Sequence, residues 1–391
     1  MKQFSAQFII TNTGPPLKRA IITAEDDGTI VKVEETDGEL KERQSVEFYN
    51  GIIVPGFVNS HCHLELSHLK GAIGEGEGLA DFLMKVSTLR NYDQEEIMSA
   101  AEREDEDLYR EGVSLCADIC NTSATFGIKK RSRIKYISLG EVFCTDPAKL
   151  EKKMSGLMRL IKEAEEAGVT LYPVPHTPYT VPLSLFRMLK EKSTSNRVTS
   201  IHFMESESEL IFLKDHSGPM RRLYEETGLL PEKLHTPTDS ATAILNEVTS
   251  TGNLILVHNT YADKATVTAV NKRGNTYWCL CPGSNLYIEN RLPPVEMLMA
   301  EGCRIVIGTD SLSSNRKLSM LAEMKIIQEH FAAVKLEELI RWATGNGAEA
   351  LGEGGTYGTI APGKRPGLVV IEDIDLVNLK ILPESRVRRL I

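Results

Sequence analysis

From about residue 54 to residue 345 the chain repeats one alternation, a short apolar run followed by an amphipathic stretch, and this limits the folds open to it. The runs are Ile53–Asn59, Ser114–Ile119, Tyr136–Phe143, Thr170–Pro175, Val198–Phe203, Leu254–His258, Thr276–Cys281 and Arg304–Thr309. Near-continuous apolar runs of this length suit strands buried on both faces. Between them lie helical stretches such as Glu95–Gly112, Pro147–Gly168, Tyr261–Gly274 and Pro294–Gly302. Each of these closes on glycine, the residue that most readily makes the left-handed turn ending a helix. Eight such strands with crossover helices predict an α/β fold, a (β/α)8 TIM barrel. A doubly wound open sheet shares the alternation, but no G-x-G-x-x-G follows the first strand.

The two ends have a different period. Phe8-Ile-Ile-Thr-Asn and Gly28-Thr-Ile-Val-Lys-Val-Glu alternate in twos, with turn signals at Gly14-Pro-Pro and Asp26-Asp-Gly, which predicts short antiparallel strands. Gly355-Thr-Tyr-Gly-Thr-Ile and Gly367-Leu-Val-Val-Ile-Glu have the same character. Neither end holds enough residues to close a core alone. The expected organisation is therefore a small composite β-sandwich domain from 1–53 plus 356–391, with a catalytic barrel over 54–355.

Composition narrows the function. A net charge of −9 argues against nucleic acid or an anionic membrane surface as main partner. The one basic run, Lys129-Lys-Arg-Ser-Arg133, reads as a solvated loop beside a helix. No apolar stretch reaches the roughly 18 residues that span a bilayer, and the N-terminal apolar run is too short for a signal peptide. Seven cysteines, scattered and without a C-x-x-C knuckle, read as reduced core thiols, among them the pairs Cys279/Cys281 and Cys116/Cys120. The expectation is a cytoplasmic enzyme with a small-molecule substrate and no nucleic-acid or membrane partner, a homo-oligomer being left open.

Barrel chemistry sits at the C-terminal ends of strands. Here those ends carry His61 and His63, His176, His202 with Glu205 three residues on, His258, and Asp310. Five of the nine histidines fall there. His61 and His63 stand i, i+2, so both project from one face of a strand while Cys62 points away. Converging imidazoles make half of a metal site. Bland readings exist for each residue. Asp310 could serve a turn, His258 could be a core histidine, Glu205 could be the first of several solvated acids, and His176 could brace its prolines. His68, His216, His235 and His330 lie in helices or loops and read as structural.

Five motifs, Pro55-Gly-Phe-Val-Asn-Ser-His-Cys-His, His202-Phe-Met-Glu205, Leu256-Val-His258, Cys281-Pro-Gly-Ser-Asn285 and Gly308-Thr-Asp310, occur in this order over the whole barrel. In them the chain resembles the amidohydrolase superfamily, in the branch of cytosine deaminase-like, triazine hydrolase-like and adenosyl-nucleoside deaminases. The resemblance implies that His61, His63, His202 and Asp310 bind one divalent metal, zinc or else iron. It implies that Glu205 shuttles protons, that His258 polarises the attacking water or the developing oxyanion, and that His176 touches substrate. Glu65, two residues past His63, would join His176 in binding substrate if strand parity persists, with the glycine-rich loop from Gly71 over the barrel mouth.

The chain departs from that pattern in places. Pro173-Val-Pro-His-Thr holds no lysine where binuclear members carry a carboxylated one, which implies a single metal. Gly283 stands where an arginine or larger residue is usual, and the tail at Gly363 lacks an acid. In such a site, water at the open metal position loses a proton near neutral pH, Asp310 accepts it, and Glu205 protonates a ring nitrogen and the departing ammonia. The implied activity is a metal-dependent aminohydrolase, a deaminase of an aminated heterocycle and foremost of a 6-aminopurine nucleoside such as a thioether adenosine or aminodeoxyfutalosine. The alternatives are hydrolysis of a cyclic amide, guanidine or halide on the same fold, or deamination of a free base or pterin.

Overall fold

The computed structural model describes residues 1–40, 45–90, 92–226, 228, 245–248 and 252–391. Seven strands form one sheet from both chain ends: β1 Lys2–Ile9, β2 Leu17–Lys18, β3 Ile21–Ala24, β4 Ile30–Glu34, β5 Val46–Pro55, and, after the central region, β14 Leu368–Glu372 and β15 Arg386–Arg389. Their order is β15-β14-β5-β1-β3-β4, with β2 on β1. The expected antiparallel pairing holds except for β1 and β5, which run parallel. One face of the sheet closes over Phe4, Ile9, Ile22, Ile53, Leu368 and Val370. The other presents Ile52, Val54, Val369 and Ile371 to the core of the central region.

The central region holds two four-stranded parallel sheets. The first contains β6 Phe57–Cys62, β7 Val113–Cys120, β8 Lys135–Val142 and β9 Leu171–Pro175. The second contains β10 Val198–Phe203, β11 Asn253–His258, β12 Thr276–Leu280 and β13 Ile305–Ile307. Strand order equals chain order, so each connection returns to the next position, a TIM-barrel-like α/β arrangement. Backbone bonds join the sheets at both seams: His202 N donates to His176 O at 3.0 Å, and Thr309 and Asp310 N donate to His61 O at 3.0 Å each. Side chains from one face of the strands, including Val58, Leu115, Ile137, Leu139, Val257 and Val306, meet in an inner apolar cluster beneath the strand ends.

Three expectations need correction. The run Ile53–Asn59 is not one strand, because Gly56 separates β5 from β6. A Cβ there would lie 2.0 Å from Ser114 Oγ and 2.6 Å from Pro366 O, so only glycine fits where the chain passes between the two sheets. Lys129 is not solvated. It lies within the helix Phe126–Arg131, with Nζ 2.6 Å from Asp118 Oδ2 and 3.0 Å from Ser138 Oγ. Buried charge of this kind persists only when paired, and the pairing frees Asp118 Oδ1 to accept from Leu64 N at 2.7 Å. The strand parity invoked for Glu65 also fails, since β6 stops at Cys62 and residues 64–69 form a 3-10 helix.

Candidate active site

The first strand delivers its histidines as the i, i+2 spacing requires. His61 is in β6 and His63 is the residue that caps the following 3-10 helix, with Nε2 of the two rings 3.1 Å apart. Asn59, from the same motif, clasps the strand-eight turn: its Nδ2 donates to Thr309 Oγ1 at 2.8 Å and its Oδ1 accepts from Thr309 N at 3.1 Å. That clasp and the His61 carbonyl bring Asp310 to the histidines. Asp310 Oδ1 lies 3.4 Å from His61 Nε2 and 3.3 Å from His63 Nε2. Its Oδ2 accepts from Ser284 Oγ at 2.7 Å and Ser314 Oγ at 2.6 Å. Gly308 permits the approach, because a Cβ would meet His61 Cβ at 2.8 Å and its backbone at 2.9 Å.

His202 and His258 complete the cluster. Donor atoms of His61, His202 and His258 lie within 4.8 Å of one another, as do those of His61, His63 and Asp310. His202 Nδ1 faces His176 O at 3.0 Å, which leaves Nε2 for the cluster. His258 Nδ1 accepts from Asn285 Nδ2 at 3.1 Å, and its Nε2 lies 3.5 Å from Glu205 Oε1. Glu205 follows Met204 in the left-handed region, φ 50°, and the carboxylate of Glu209 holds both amides at 3.2 and 2.8 Å.

Burial sets the charges. Desolvation drives His63 and His258 well below the ordinary histidine value and His202 to about 4, so these rings are neutral and offer lone pairs. Burial pushes Asp310 upward, but the hydrogen bond with His61 and the neighbouring rings outweigh it and hold it well below the carboxylate range. Burial, reinforced by the charge of Asp310, raises Glu205 well above that range, which favours its protonated form. Two carboxyls with opposite protonation in one site is the pattern of acid–base chemistry. Imidazole nitrogens and one carboxylate oxygen, converging with nothing else between them, suit a divalent ion of borderline softness. The residues present fit such an ion.

A cavity of 230 Å³ opens on this cluster, lined by His63, His176, His202, Glu205, His258 and Asp310 and walled by Leu83, Val86 and Phe143. Helix α1, Leu79–Leu89, supplies Leu79, Phe82, Leu83 and Val86 to the apolar wall. His176 is at the wall, its Nδ1 2.8 Å from Thr180 Oγ1. Glu65 is not: its carboxylate accepts from the Asn121 and Thr122 amides at 3.2 Å, from Thr122 Oγ1 at 3.0 Å and from Arg90 at 3.4 Å. The acids of the glycine-rich loop also turn away, Glu75 to Arg316 at 2.8 Å and Glu77 to Lys85 at 2.5 Å. The loop is pinned instead by Gly76 N and Gly78 N on the Tyr287 and Ile288 carbonyls. At Gly283 a Cβ would be 2.7 Å from Asn315 Nδ2 and Glu323 Oε1, so the larger side chain usual there has no room. His68, packed against Tyr92, His216 and His330 are outside the cavity wall, and His235 lies outside the described residues.

Glu141 and Asn59 are among the polar residues that escaped the sequence reading. Glu141 ends β8 on the inner face, with Oε1 3.4 Å from His202 Nδ1 and Oε2 4.0 Å from His176 Nε2. Its parity with Ile137 and Leu139 was the available signal. Burial lifts its carboxyl to about 8. Asn59 stood inside the quoted motif without a role.

Comparison with known proteins agrees in fold. The chain is 26% identical over 390 residues to a 5-methylthioadenosine/S-adenosylhomocysteine deaminase of Pyrococcus abyssi, covering 94% of this chain and 83% of that protein. Its structure resembles that of Helicobacter pylori aminofutalosine deaminase in complex with methylthio-coformycin, with TM-score 0.80, 21% identity and all of both chains covered. It also resembles the zinc complex of an atrazine chlorohydrolase from Arthrobacter aurescens TC1, with TM-score 0.73, 18% identity and 94% and 86% coverage. The model of the Amidohydrolase family matches residues 52–386, and the chain belongs to that family.

Proposed function

We propose that this protein is a mononuclear, metal-dependent aminohydrolase that releases ammonia from a 6-aminopurine nucleoside derivative. The observation that carries the reading is Glu205, a buried carboxyl 3.5 Å from His258 whose pKa burial raises, on the wall of the cavity that Asp310, whose pKa is lowered, also lines. His61, His63, His202 and Asp310 would hold one divalent ion, zinc by its match to this donor set, with iron as the other candidate. When bound, the metal supplies Lewis acidity that brings the pKa of water near neutrality. Asp310, its Oδ2 fixed by two serine hydroxyls, takes the proton of the attacking water. Glu205 gives its proton to the ring nitrogen beside the amino-bearing carbon and takes back the hydroxyl proton as the C–N bond breaks, while Asp310 passes the water proton to the amino group, which leaves as ammonia. His258 Nε2 donates to the oxygen on which charge develops, while Asn285 fixes the opposite ring nitrogen. His176 meets the substrate edge, and Glu65 acts at one remove by holding Arg90 and the backbone at Asn121.

The nucleoside preference rests on likeness to the Pyrococcus deaminase and on the apolar wall of α1, which suits a non-polar 5′ substituent. The reaction would run on a closed (β/α)8 barrel over 54–355, with 1–53 plus 356–391 as a second unit, in a cytoplasmic setting consistent with seven free cysteines. Among the described residues no helix is long and apolar enough to cross a membrane. A second reading, hydrolysis of a halide or cyclic amide, is favoured only by likeness to the chlorohydrolase. Ammonia release from adenosine derivatives, free bases and pterins separates these. Free bases or pterins processed at least about tenfold better in kcat/KM would refute the nucleoside assignment, and absence of ammonia would refute deamination.

A further inference from the structure

Beside the first strand, away from the cavity, lies an ion pair that the mechanism does not use. The side chains of Lys129 and Asp118 are 1% and 0% exposed, with Nζ 2.6 Å from Oδ2. Lys129 Nζ also donates to Ser138 Oγ at 3.0 Å and stands 5.7 and 5.9 Å from the ring centres of Phe126 and Tyr136. The attraction within such a pair often fails to offset the cost of taking two charges out of water, and well-packed apolar residues of similar volume serve a fold as well. What apolar residues cannot supply is the second carboxylate oxygen. Asp118 Oδ1 accepts from Leu64 N at 2.7 Å. The ladder between β6 and β7 is irregular from Asn59 to Cys62, where Cys62 pairs with Asp118 and β6 stops. The Asp118 side chain thus continues the contact between the two segments past the last residue of the strand. His63 stands between Cys62 and Leu64, and its own side chain makes no capping bond to the 3-10 helix that follows.

We propose that Asp118 and Lys129 are positioning residues for the metal site, the ion pair aiming one carboxylate oxygen at the Leu64 amide and thereby fixing the direction in which His63 presents Nε2. This rests on the metal-dependent reading above and adds to it two residues outside the donor cluster. The Leu64 amide belongs to the peptide unit that leaves His63, so a displacement of that amide turns the imidazole with it. His63 Nε2 lies 3.1 Å from His61 Nε2 and 3.3 Å from Asp310 Oδ1, so the spacing of these donors depends on where the amide is held. Lys129 holds Oδ2, and its bond to Ser138 on β8 ties the ammonium to a third strand, so the carboxylate keeps one orientation. Groups that orient a metal ligand from outside change metal affinity by about 10–100-fold when they are lost.

The test uses the full chain loaded with Co2+, whose visible absorption reports ligand geometry, and reads that spectrum, the Co2+ dissociation constant and the urea midpoint together. In Lys129→Met/Asp118→Asn both charges are removed but a carbonyl oxygen remains for the Leu64 amide. In Lys129→Met/Asp118→Leu the acceptor is removed as well. The Asn variant is expected to keep the wild-type spectrum and to bind Co2+ within about threefold of wild type, while the Leu variant should show an altered spectrum and bind about 10–100-fold more weakly. If the Leu variant does not fold, Lys129→Met/Asp118→Ala, which removes the acceptor without adding volume, takes its place. A wild-type spectrum and affinity without the acceptor, whatever the urea midpoint, would overturn the proposal, and so would equal changes in the variants with and without it. Failure of the Asn variant to fold, or of both acceptor-free variants, would overturn it in favour of a purely structural role. Wild type that binds no Co2+ would remove the metal reading and this one together.

Discussion

Replacing Glu205 by Gln is the most direct probe of the proposed chemistry. The isosteric amide keeps volume and polarity but has no acidic proton. The fold should be indifferent to the change, because the contact fixing this residue is its backbone amide, held by Glu209 at 2.8 Å. The rate should not be. Burial holds the wild-type carboxyl well above its ordinary value, which favours the protonated form that the mechanism needs. A positioned acid contributes about 10²–10⁴-fold, and Glu205 serves two transfers, so a loss on the order of 10³-fold or more is expected. That corresponds to roughly 4 kcal/mol of transition-state stabilisation. The assay is continuous ammonia release on metal-replete enzyme, with metal content and circular dichroism as controls. A second signature follows from sign. Wild-type activity needs protonated Glu205, so it should fall as pH climbs through that raised pKa, and the residual rate of the variant should lack this alkaline limb. Turnover within about tenfold of wild type at full metal occupancy would refute the shuttle.

Four further outcomes are expected. Purified protein should hold close to one equivalent of divalent metal, which His202→Ala largely loses because a three-ligand remnant binds poorly; two tightly held equivalents would refute the mononuclear assignment. Gly308→Ala should lower the urea midpoint by the equivalent of about 1–3 kcal/mol, since its methyl meets the His61 backbone at 2.9 Å, and an unchanged midpoint would refute that tight seam. Burial raises Glu323 to about 8 from its ordinary 4.5. Its contribution is thus complete below about 4.5 and lost as pH rises through about 8, so denaturant midpoints of wild type should fall over that window more than those of Glu323→Gln, and parallel profiles would refute the assignment. Deleting residues 356–391 removes β14 and uncovers Ile53 and Ile22, so the chain should lose solubility; a monodisperse, metal-loaded product would show the N-terminal strands stand alone.

The barrel-like arrangement was legible because burial on both faces forces continuous apolar runs, and Val198–Phe203 falls at the boundaries the run predicted. The histidine cluster was legible because chemistry gathers at one end of such strands. Glu65 was misplaced for a local reason: parity extends only as far as the strand, and Asp118, paired with Lys129, captures Leu64 N and turns the chain into a 3-10 helix. Lys129 itself was misread because a basic run looks alike whether solvated or folded over one buried acid. Glu209 was passed over because a lone acid in an acidic run carries no spacing signature, and Glu141 because its parity with Ile137 and Leu139 was not followed to the end of β8. Only the three-dimensional register places Glu141 beside His202 and Glu209 beneath Glu205.

The strand ends also show where the cost of the site falls. Met204, His258, Asn259 and Asp310 all have φ between 50° and 76°, a conformation costing non-glycine residues on the order of 1 kcal/mol or more each. Met204 packs into the outer core, but the inner cluster lies beneath the strand ends and does not hold the three polar residues. Hydrogen bonds do. Asn259 Nδ2 reaches the Leu256 and Cys279 carbonyls at 2.8 and 3.2 Å, Glu209 holds Met204 N, and the His61 carbonyl receives Asp310 N. The left-handed turn breaks the alternation of each strand at the point where a side chain must leave the strand direction and face the cavity. Stability and function are thereby separated by layer. The apolar register below fixes the strands against one another, and the polar braces above bend their last residues out of regular geometry into the cluster.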